Sequence, residues 1–263
     1  MIITVGLPFY HKTNVKQFSA AIDSILNQSY FPDEIHLIQD GPISDELSTL
    51  VSTYLTKYPQ TRHIIISKNS GLSHALNLSI LLSNSKYYVR MDADDISYPN
   101  RLEKQIGFLE SNPEIEILGS WATEFQIDPI HEKGNLRKVP TCQKEIKQFF
   151  HYRNPFIHPT VVFRRKIFAT IGLYNPAFQM EEDLELWSRV LKMDIRVANL
   201  PEPLLYYRFT DSINRRASAI SFQIKARYKF NTWSIRLNFL KLLSILMRLL
   251  PISIQKKAYT HLR

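Results

Sequence analysis

An α/β fold with a mainly parallel sheet flanked by helices is predicted for this 263-residue chain from two patterns. Over the first 120 residues, short runs rich in β-branched and aromatic residues alternate with stretches whose apolar residues recur at helical spacing. This alternation is typical of parallel strands joined by helical crossovers. The length and the 44% content of hydrophobic residues suit one large domain with a small appendage.

The regular part of the chain begins with a strand and ends near residue 120. The predicted strands are 2–7, 34–39, 63–67, 87–92 and 115–119. The first helix is indicated by Val15, Phe18, Ile22 and Ile25, with Asn14 as its N-cap. Two more helices are predicted over 71–82 and 101–109.

Beyond residue 120 the pattern is less regular. Strands are predicted over 121–126 and 160–163, a polar loop over 129–139, and helices over 141–150 and 182–192. A long helix is predicted from about residue 221 to 250, where Pro251 ends it. We therefore expect an α/β domain over 1–211 and a basic, amphipathic helical tail over 212–263.

The tail accounts for the net charge of +9. Residues 212–263 contain eleven Lys or Arg and no Asp or Glu, whereas the rest of the chain holds 22 basic and 24 acidic residues. Lys225, Lys229 and Arg236 fall on one stripe of the predicted helix, beside many apolar residues. Such a helix is typical of a membrane interface, with its cations towards anionic headgroups. A helix packed on the core or between two copies of the chain is the alternative.

Composition and missing motifs disfavour several classes of protein. The single cysteine, Cys142, excludes an internal disulfide and a multi-thiolate zinc site. The sequence has no run of 18 apolar residues that predicts a membrane span, and its first residues lack the basic leader of a secretory signal. Neither GxGxxG nor GxxxxGK[ST] occurs, which disfavours dinucleotide oxidoreductases and P-loop enzymes. The tail has no groove-reading motif and is too apolar for nucleic-acid binding.

The strongest functional signal is the acidic run Asp92-Ala-Asp94-Asp95, directly after the fourth predicted strand. Three carboxylates within four residues repel one another and resist burial, so a cation has to offset their cost. Oxygen ligands of this kind suit Mg2+ or Mn2+, above all where the ion also binds substrate phosphates. The alternative is a solvated acidic turn that caps the helix after Pro99.

Three further motifs are expected at the same edge, because parallel strands bring their carboxyl ends to one edge of the sheet. Pro8-Phe-Tyr10 ends the first strand, Asp40-Gly ends the second, and Asn69-Ser-Gly71 follows the third. An aromatic ring near Tyr10 can stack on a base, Asp40 can accept hydrogen bonds from a base or ribose, and Gly71 lets backbone approach a ligand. With a metal ion at the acidic run, these parts predict a site for a nucleoside diphosphate.

Other candidate site residues lie in the second half of the chain. His158 can contact a diphosphate or an acceptor, or it is a hydrogen-bonded loop residue beside Pro159. Glu182 and Asp183 begin the helix predicted over 182–192, where the helix dipole favours acidic residues for purely structural reasons. Arg208 can bind phosphate, and a solvated basic face is the alternative.

As an ordered set, these motifs resemble the family 2 glycosyltransferases, which have the GT-A fold, a Rossmann-like fold of nucleotide-diphospho-sugar transferases. The matching stretches are Pro8-Phe-Tyr10, Ser24-Ile-Leu-Asn-Gln-Ser-Tyr30, Asp40-Gly41, Asn69-Ser-Gly-Leu-Ser-His-Ala-Leu-Asn77, Met91-Asp-Ala-Asp-Asp95, Pro99-Asn-Arg-Leu102 and Glu182-Asp-Leu-Glu-Leu-Trp187. The resemblance covers about residues 2–210 and implies that 1–211 is a catalytic domain.

The resemblance also assigns roles by position. Nucleotide-sugar binding is implied for Pro8, Tyr10, Asp40, Asn69, Gly71, Asp92, Asp95 and Arg101. Asp92 and Asp94 correspond to the metal ligands and Asp183 to the general base, while Glu182, Trp187 and His158 are expected at the acceptor site. One departure is Leu76, where many relatives have arginine, so a phosphate or donor contact is either missing or supplied by another residue.

The activity implied by the resemblance is inverting transfer of a hexose, glucose or galactose, from a UDP-sugar with Mn2+ or Mg2+. The acceptor is expected to be a sugar on an undecaprenyl-diphosphate-linked intermediate, often joined β1,3, in O-antigen, capsule or exopolysaccharide assembly. Such an enzyme would be cytoplasmic and peripheral on the inner face of the bacterial plasma membrane, as a monomer or an oligomer. Alternatives are transfer of GlcNAc, GalNAc or rhamnose, and a non-catalytic protein that binds anionic surfaces. Other metal-dependent phosphoryl chemistry is disfavoured, because Ile96 stands where a phosphatase with an aspartyl nucleophile would have Thr or Val.

Overall fold

The structure is a computed structural model that describes residues 2–129, 131–132, 134–209, 219–228, 230 and 234–250. Its strands are β1 (Ile3–Phe9), β2 (Glu34–Asp40), β3 (Thr61–Ile66), β4 (Tyr87–Arg90), β5 (Ile96–Ser97), β6 (Ile117–Phe125), β7 (Asn135–Arg137), β8 (Val162–Arg164) and β9 (Val197–Arg208). Its α-helices are α1 (Val15–Leu26), α2 (Asp45–Lys57), α3 (Leu72–Leu82), α4 (Arg101–Ser111), α5 (Gln143–Phe150), α6 (Phe168–Ile171), α7 (Glu182–Lys192), α8 (Ile220–Tyr228) and α9 (Ile235–Leu249). Short 3-10 helices span His158–Thr160 and Arg165–Ile167.

All nine strands join one mixed sheet in the order β3-β2-β1-β4-β8-β6-β9-β5, with β7 paired to β6. The first four strands are parallel. Strand β8 is antiparallel to β4 and β6, and β9 runs parallel to β6. The predicted α/β fold is confirmed, with parallel pairing in the first half of the sheet and mixed pairing in the second.

Apolar side chains cover both faces of the parallel strands, as expected where helices pack on each side. On one face, Ile3, Val5 and Leu7 of β1 belong to the same buried cluster as Phe18 and Ile22 of α1. The predicted N-cap of α1 is confirmed, because the side chain of Asn14 accepts the Gln17 backbone N–H at 3.1 Å. A second cluster buries the opposite face under α3 and α7.

The largest differences from the sequence prediction lie in the second half of the sheet. The strands predicted over 115–119 and 121–126 are one strand, β6, whose pairing with β9 shifts register around Ser120 and Trp121. Strand β9 was not predicted, because Pro201 and Pro203 interrupt its pattern. Pro203 stands opposite Trp121 at this irregularity, where a missing backbone N–H is tolerated. Helix α2 was also missed, and β7 lies inside the predicted polar loop.

The prediction of a single long helix over about 221–250 was wrong, since α8 ends at Tyr228 and α9 starts at Ile235. Helix α8 packs on the α/β domain, and the buried residues there are Ala219, Gln223, Ala226, Arg227 and Phe230. The Phe230 ring lies 4.8 Å from that of Phe150 in α5. The first part of the predicted tail therefore contributes to the core. The expected boundary at 211/212 and the predicted stop at Pro251 lie outside the described residues.

Helix α9 has an exposed apolar face. Ile235, Phe239, Leu242, Leu246 and Leu249 are all exposed, and their spacing of four, three, four and three residues places them on one side of the helix. Among the residues that the structure describes, no helix combines the length and the apolar character needed to cross a bilayer.

Candidate active site

The acidic run lies just beyond β4, at the edge where the parallel strands end. Asp92, Asp94 and Asp95 each present a carboxylate oxygen within 4.8 Å of the other two. Burial, followed by the Asp92 charge, raises the pKa of Asp94 to about 6 and that of Asp95 well above its ordinary value. Oδ2 of Asp95 is buried and has no hydrogen-bond partner among the described residues. Three crowded oxygen donors of this kind fit a hard divalent cation, which would relieve their mutual repulsion.

The acidic run is tied to strand β9 by Arg208. The Arg208 backbone N–H donates to Oδ1 of Asp95 at 2.8 Å, and its Nε donates to the carbonyl of Asp94 at 2.9 Å. Its Nη1 donates to the carbonyls of Gln126 and Ile127. The guanidinium is thus engaged with backbone carbonyls, which fits a structural role for Arg208 rather than the phosphate contact considered from the sequence.

The predicted nucleotide side of the site is formed by the ends of β1 and β2 and the loop after β3. Tyr10 is exposed directly after β1, and Pro8 is half-buried within that strand. The buried carboxylate of Asp40 accepts the backbone N–H groups of Ser70 and Gly71 at 2.7 and 2.8 Å. Asp40 therefore fixes the loop before α3, and each of its oxygens keeps a further lone pair.

The other two residues predicted on this side belong to that loop. Asn69 is exposed, and its Nδ2 donates to the Asp40 carbonyl at 3.3 Å. Gly71 has φ +90°, a conformation that favours glycine, and no heavy atom lies within 4 Å of where a Cβ would stand. The backbone is consequently open to close approach at this position.

A second pair of acids begins helix α7. The side chain of Glu182 is buried, and burial together with the neighbouring Asp183 raises its pKa to about 8. Burial also raises the pKa of Asp183, whose Oδ2 accepts Nδ2 of Asn154 at 2.6 Å and whose Oδ1 accepts the Leu184 N–H at 2.7 Å. The sequence pointed to His158 in this part of the chain, whereas it is Asn154 that contacts Asp183.

The turn before α7 is strained and is supported by α8. Glu181 adopts a left-handed conformation with φ +61°, which is unfavourable for a residue other than glycine. Its Oε1 accepts Nε2 of the buried Gln223 at 2.6 Å. The ring centroids of Phe178 and Phe222 lie 5.9 Å apart beside this contact. Helix α8 thus helps to orient Glu182 and Asp183, a role that no sequence motif indicated.

Arg90, the last residue of β4, links the two groups of acids. Its Nη2 lies 2.5 Å from Oδ1 of Asp92. Burial is the main cause of the raised pKa values of Asp94, Asp95, Glu182 and Asp183, and the charge of Arg90 opposes it in all four. Arg90 therefore contacts one metal-binding candidate directly, and its charge also favours the ionised form of the predicted general base.

Trp187 and Arg101 are buried and do not present the surfaces expected of ligand-binding residues. The Trp187 side chain has 0% exposure and packs against Phe156 and Phe163, so it offers no open ring face to a sugar. Arg101 is equally buried, and its nitrogens donate to Gln105, Ser97 and the Arg90 carbonyl. Its contacts support the structure of the acidic run and of α4.

His158 also departs from the expected acceptor contact. It is 8% exposed, and its Nε2 is hydrogen-bonded to the hydroxyl of Tyr174 at 2.8 Å. Burial, with a smaller effect of Arg90, lowers its pKa well below the ordinary value, so the imidazole is neutral. The alternative considered from the sequence, a hydrogen-bonded loop residue, describes its position better.

Comparison with known proteins places the chain among glycosyltransferases. Residues 4–172 match the family model described as glycosyl transferase family 2. The amylovoran biosynthesis glycosyltransferase AmsE of Erwinia amylovora is 32% identical over 98% of both chains. UDP-Gal:alpha-D-GlcNAc-diphosphoundecaprenol beta-1,3-galactosyltransferase of Escherichia coli is 30% identical over 97% of this chain and 94% of that one. The similarity to these two relatives extends along nearly the whole sequence.

A solved structure confirms the predicted GT-A fold. The mannosyltransferase PcManGT from Pyrobaculum calidifontis, in complex with GDP-Man and Mn2+, superimposes with a TM-score of 0.65 at 14% sequence identity. The alignment covers 99% of this chain and 79% of that one. At this identity the similarity concerns the fold alone.

The buried Glu182 should make stability depend on pH. Its pKa is about 8 in the ligand-free folded protein and near 4.5 in the unfolded chain. Between these values the folded state keeps a proton that the unfolded state has lost, so stability falls as pH rises. Glu182→Gln removes this titration, and the variant should gain about 1–3 kcal/mol over the unaltered protein between pH 5 and 9.

Thermal unfolding at several pH values measures this difference. Glu46→Gln, at an exposed position in the first turn of α2, is the matched control and should show a difference that does not vary with pH. A Glu182→Gln advantage that shrank towards pH 9 would contradict the buried, protonated state of Glu182.

Proposed function

The chain belongs to glycosyltransferase family 2, and from that membership and the geometry of the site we propose an inverting, metal-dependent hexosyltransferase. The donor is a UDP-sugar, UDP-glucose or UDP-galactose. The acceptor is a sugar on an undecaprenyl-diphosphate-linked intermediate, and the product bond is β1,3. The reaction belongs to the assembly of O-antigen or another bacterial surface polysaccharide.

The observation that carries this choice is the 30% identity, over nearly the whole chain, with a β-1,3-galactosyltransferase of E. coli that uses UDP-Gal and a diphosphoundecaprenol acceptor. The relative from E. amylovora is named for the biosynthesis of another polysaccharide, amylovoran. Acidic side chains at the strand ends and at the start of α7 supply the groups that such a transfer needs. GlcNAc, GalNAc and rhamnose are the competing donor sugars.

In the proposed reaction Asp183 is the general base. Its carboxylate takes the proton of an acceptor hydroxyl while the hydroxyl oxygen forms a bond to the anomeric carbon of the donor. The bond from that carbon to the β-phosphate oxygen breaks, its electron pair leaves with UDP, and the anomeric configuration is inverted. Asn154 and the Leu184 N–H orient Asp183, and each carboxylate oxygen retains a lone pair for the incoming proton.

Mn2+ or Mg2+ bound by Asp92 and Asp94 would neutralise the charge that develops on the leaving diphosphate. Asp95 lies beside this pair near the donor sugar, and its hydrogen bond from Arg208 keeps the acidic run in place. Pro8, Tyr10, Asp40, Asn69 and Gly71 would surround the uridine, and Asp40 also fixes the loop that contains Asn69 and Gly71. Glu182, adjacent to the base, contacts the acceptor.

We also propose that α9 attaches the enzyme to the inner face of the plasma membrane. The exposed apolar side chains of α9 suit insertion among lipid headgroups, and the basic excess of residues 212–263 suits anionic lipids. A lipid-linked acceptor held at the same surface would reach the site at a raised effective concentration. The enzyme would then act in the cytoplasm without a nucleic-acid partner.

The function is tested by incubating the full chain with a panel of UDP- and GDP-sugars and a synthetic lipid-diphosphate acceptor. We expect UDP release from UDP-glucose or UDP-galactose that requires the acceptor and stops when EDTA removes the metal. Activity with a GDP-sugar alone, or activity unaffected by EDTA, would contradict the proposal.

The role of Asp183 predicts a separation of binding from chemistry. Asp183→Asn should lower the rate of transfer by at least about 100-fold, because the amide cannot accept the proton, while the affinity for UDP changes by less than about threefold. Glu185→Gln changes an acid in the same turn that pairs with Arg189, and it should retain activity. Equal losses of transfer and of UDP affinity in Asp183→Asn would make Asp183 a structural cap instead.

Membrane attachment is tested by sedimentation with vesicles that contain phosphatidylglycerol. Leu242→Glu combined with Leu246→Glu places two charges on the apolar face of α9 and should lower the bound fraction roughly tenfold or more. Leu81→Glu changes an exposed leucine of α3 and is the matched control. Unchanged sedimentation of the double variant would contradict the proposal, and a shift from dimer to monomer would show an interface between two copies.

A further inference from the structure

The backbone of Arg90 is fixed on both sides within the sheet. Arg90 pairs with Gly6 of β1, and its N–H donates to the carbonyl of Val161 at 3.0 Å. Its carbonyl accepts Nη2 of Arg101 at 2.9 Å. The side chain is therefore anchored at the carboxyl end of β4, and the whole residue is only 2% exposed.

The guanidinium of Arg90 is incompletely hydrogen-bonded. Nη2 contacts Asp92, but Nε and Nη1 are buried and have no hydrogen-bond partner among the described residues. Arg101 and Arg164 are comparably buried, and all three nitrogens of each donate to described partners. Leaving donors of a buried cation unpaired is unfavourable, so these two N–H groups of Arg90 are suited to a ligand.

The position of Arg90 defines which part of a ligand it can meet. It touches Asp92, a proposed metal ligand, and its charge acts on Glu182 and Asp183 at the start of α7. In the proposed reaction, the bond that breaks joins the anomeric carbon to the β-phosphate. This bond lies between the metal-binding carboxylates and the general base. The anion at that point is the β-phosphate itself.

We propose that Arg90 donates a hydrogen bond from Nε or Nη1 to the β-phosphate of the donor, an inference that rests on the proposed function and deepens it. A hydrogen bond from a charged guanidinium to a phosphate oxygen is stronger than one between neutral groups. Nη2 stays on Oδ1 of Asp92 and leaves the other carboxylate oxygen for the metal. Leu76 is fully buried in an apolar cluster and offers no contact to a phosphate.

The test compares UDP with UMP, which lacks the β-phosphate, by titration calorimetry in the presence of Mn2+. Arg90→Met should weaken UDP binding about 10- to 100-fold and UMP binding by less than about threefold. Arg90→Lys keeps a positive charge without the N–H groups at Nε and Nη1 and should give an intermediate loss for UDP alone. It also serves as the test variant if Arg90→Met does not fold.

Arg164→Lys is the matched control, because Arg164 is buried but donates to Tyr87 and to backbone carbonyls in the interior. It should lower the melting temperature and leave UDP affinity unchanged. Equal losses of UDP and UMP affinity in the Arg90 variants, or no loss of either, would overturn the inference and make Arg90 a structural partner of Asp92. If the unaltered protein binds GDP and not UDP, the proposed donor class fails separately, before any variant is compared.

Discussion

Burial of acidic side chains at one edge of the sheet is the constraint on which the rest of the site depends. Asp94, Asp95, Glu182 and Asp183 all have raised pKa values because burial penalises their charged forms. Their full ionisation requires positive charge nearby, and Arg90 supplies only part of it. A divalent cation at the acidic run would add positive charge, so cation binding and the charge state of these acids would be linked.

Each acidic segment of the site is fixed by a group that lies far away in the sequence. The loop at Asp40 is bonded to residues 70 and 71, Asp95 to Arg208, and Asp183 to Asn154. These bonds leave further lone pairs on the carboxylate oxygens for ligands. The positions of the functional groups therefore depend on the mixed half of the sheet as much as on the parallel half.

The sequence predicted the parallel half of the sheet and the acidic run well, because both depend on local patterns of apolar and acidic residues. It missed β9, whose prolines interrupt a strand pattern that only the pairing with β6 stabilises. From the sequence alone, an aromatic residue close to two acids, such as Trp187, is equally consistent with a sugar-binding surface and with a core residue. The packing of α7 buries Trp187 in the core. The contact of Asn154 with Asp183 is likewise set by tertiary structure.

Helix α8 lies in the predicted tail and contacts the turn before α7. The left-handed conformation of Glu181 is unfavourable by about 1–3 kcal/mol, and contacts in the surrounding structure have to offset this cost. Gln223 of α8 donates to that residue, and Phe222 packs on Phe178 beside it. Helix α8 is thus part of the support of the proposed catalytic acids, and α9, with its apolar face, is the next helix. One continuous stretch of chain joins the proposed membrane contact to the segment that positions Asp183.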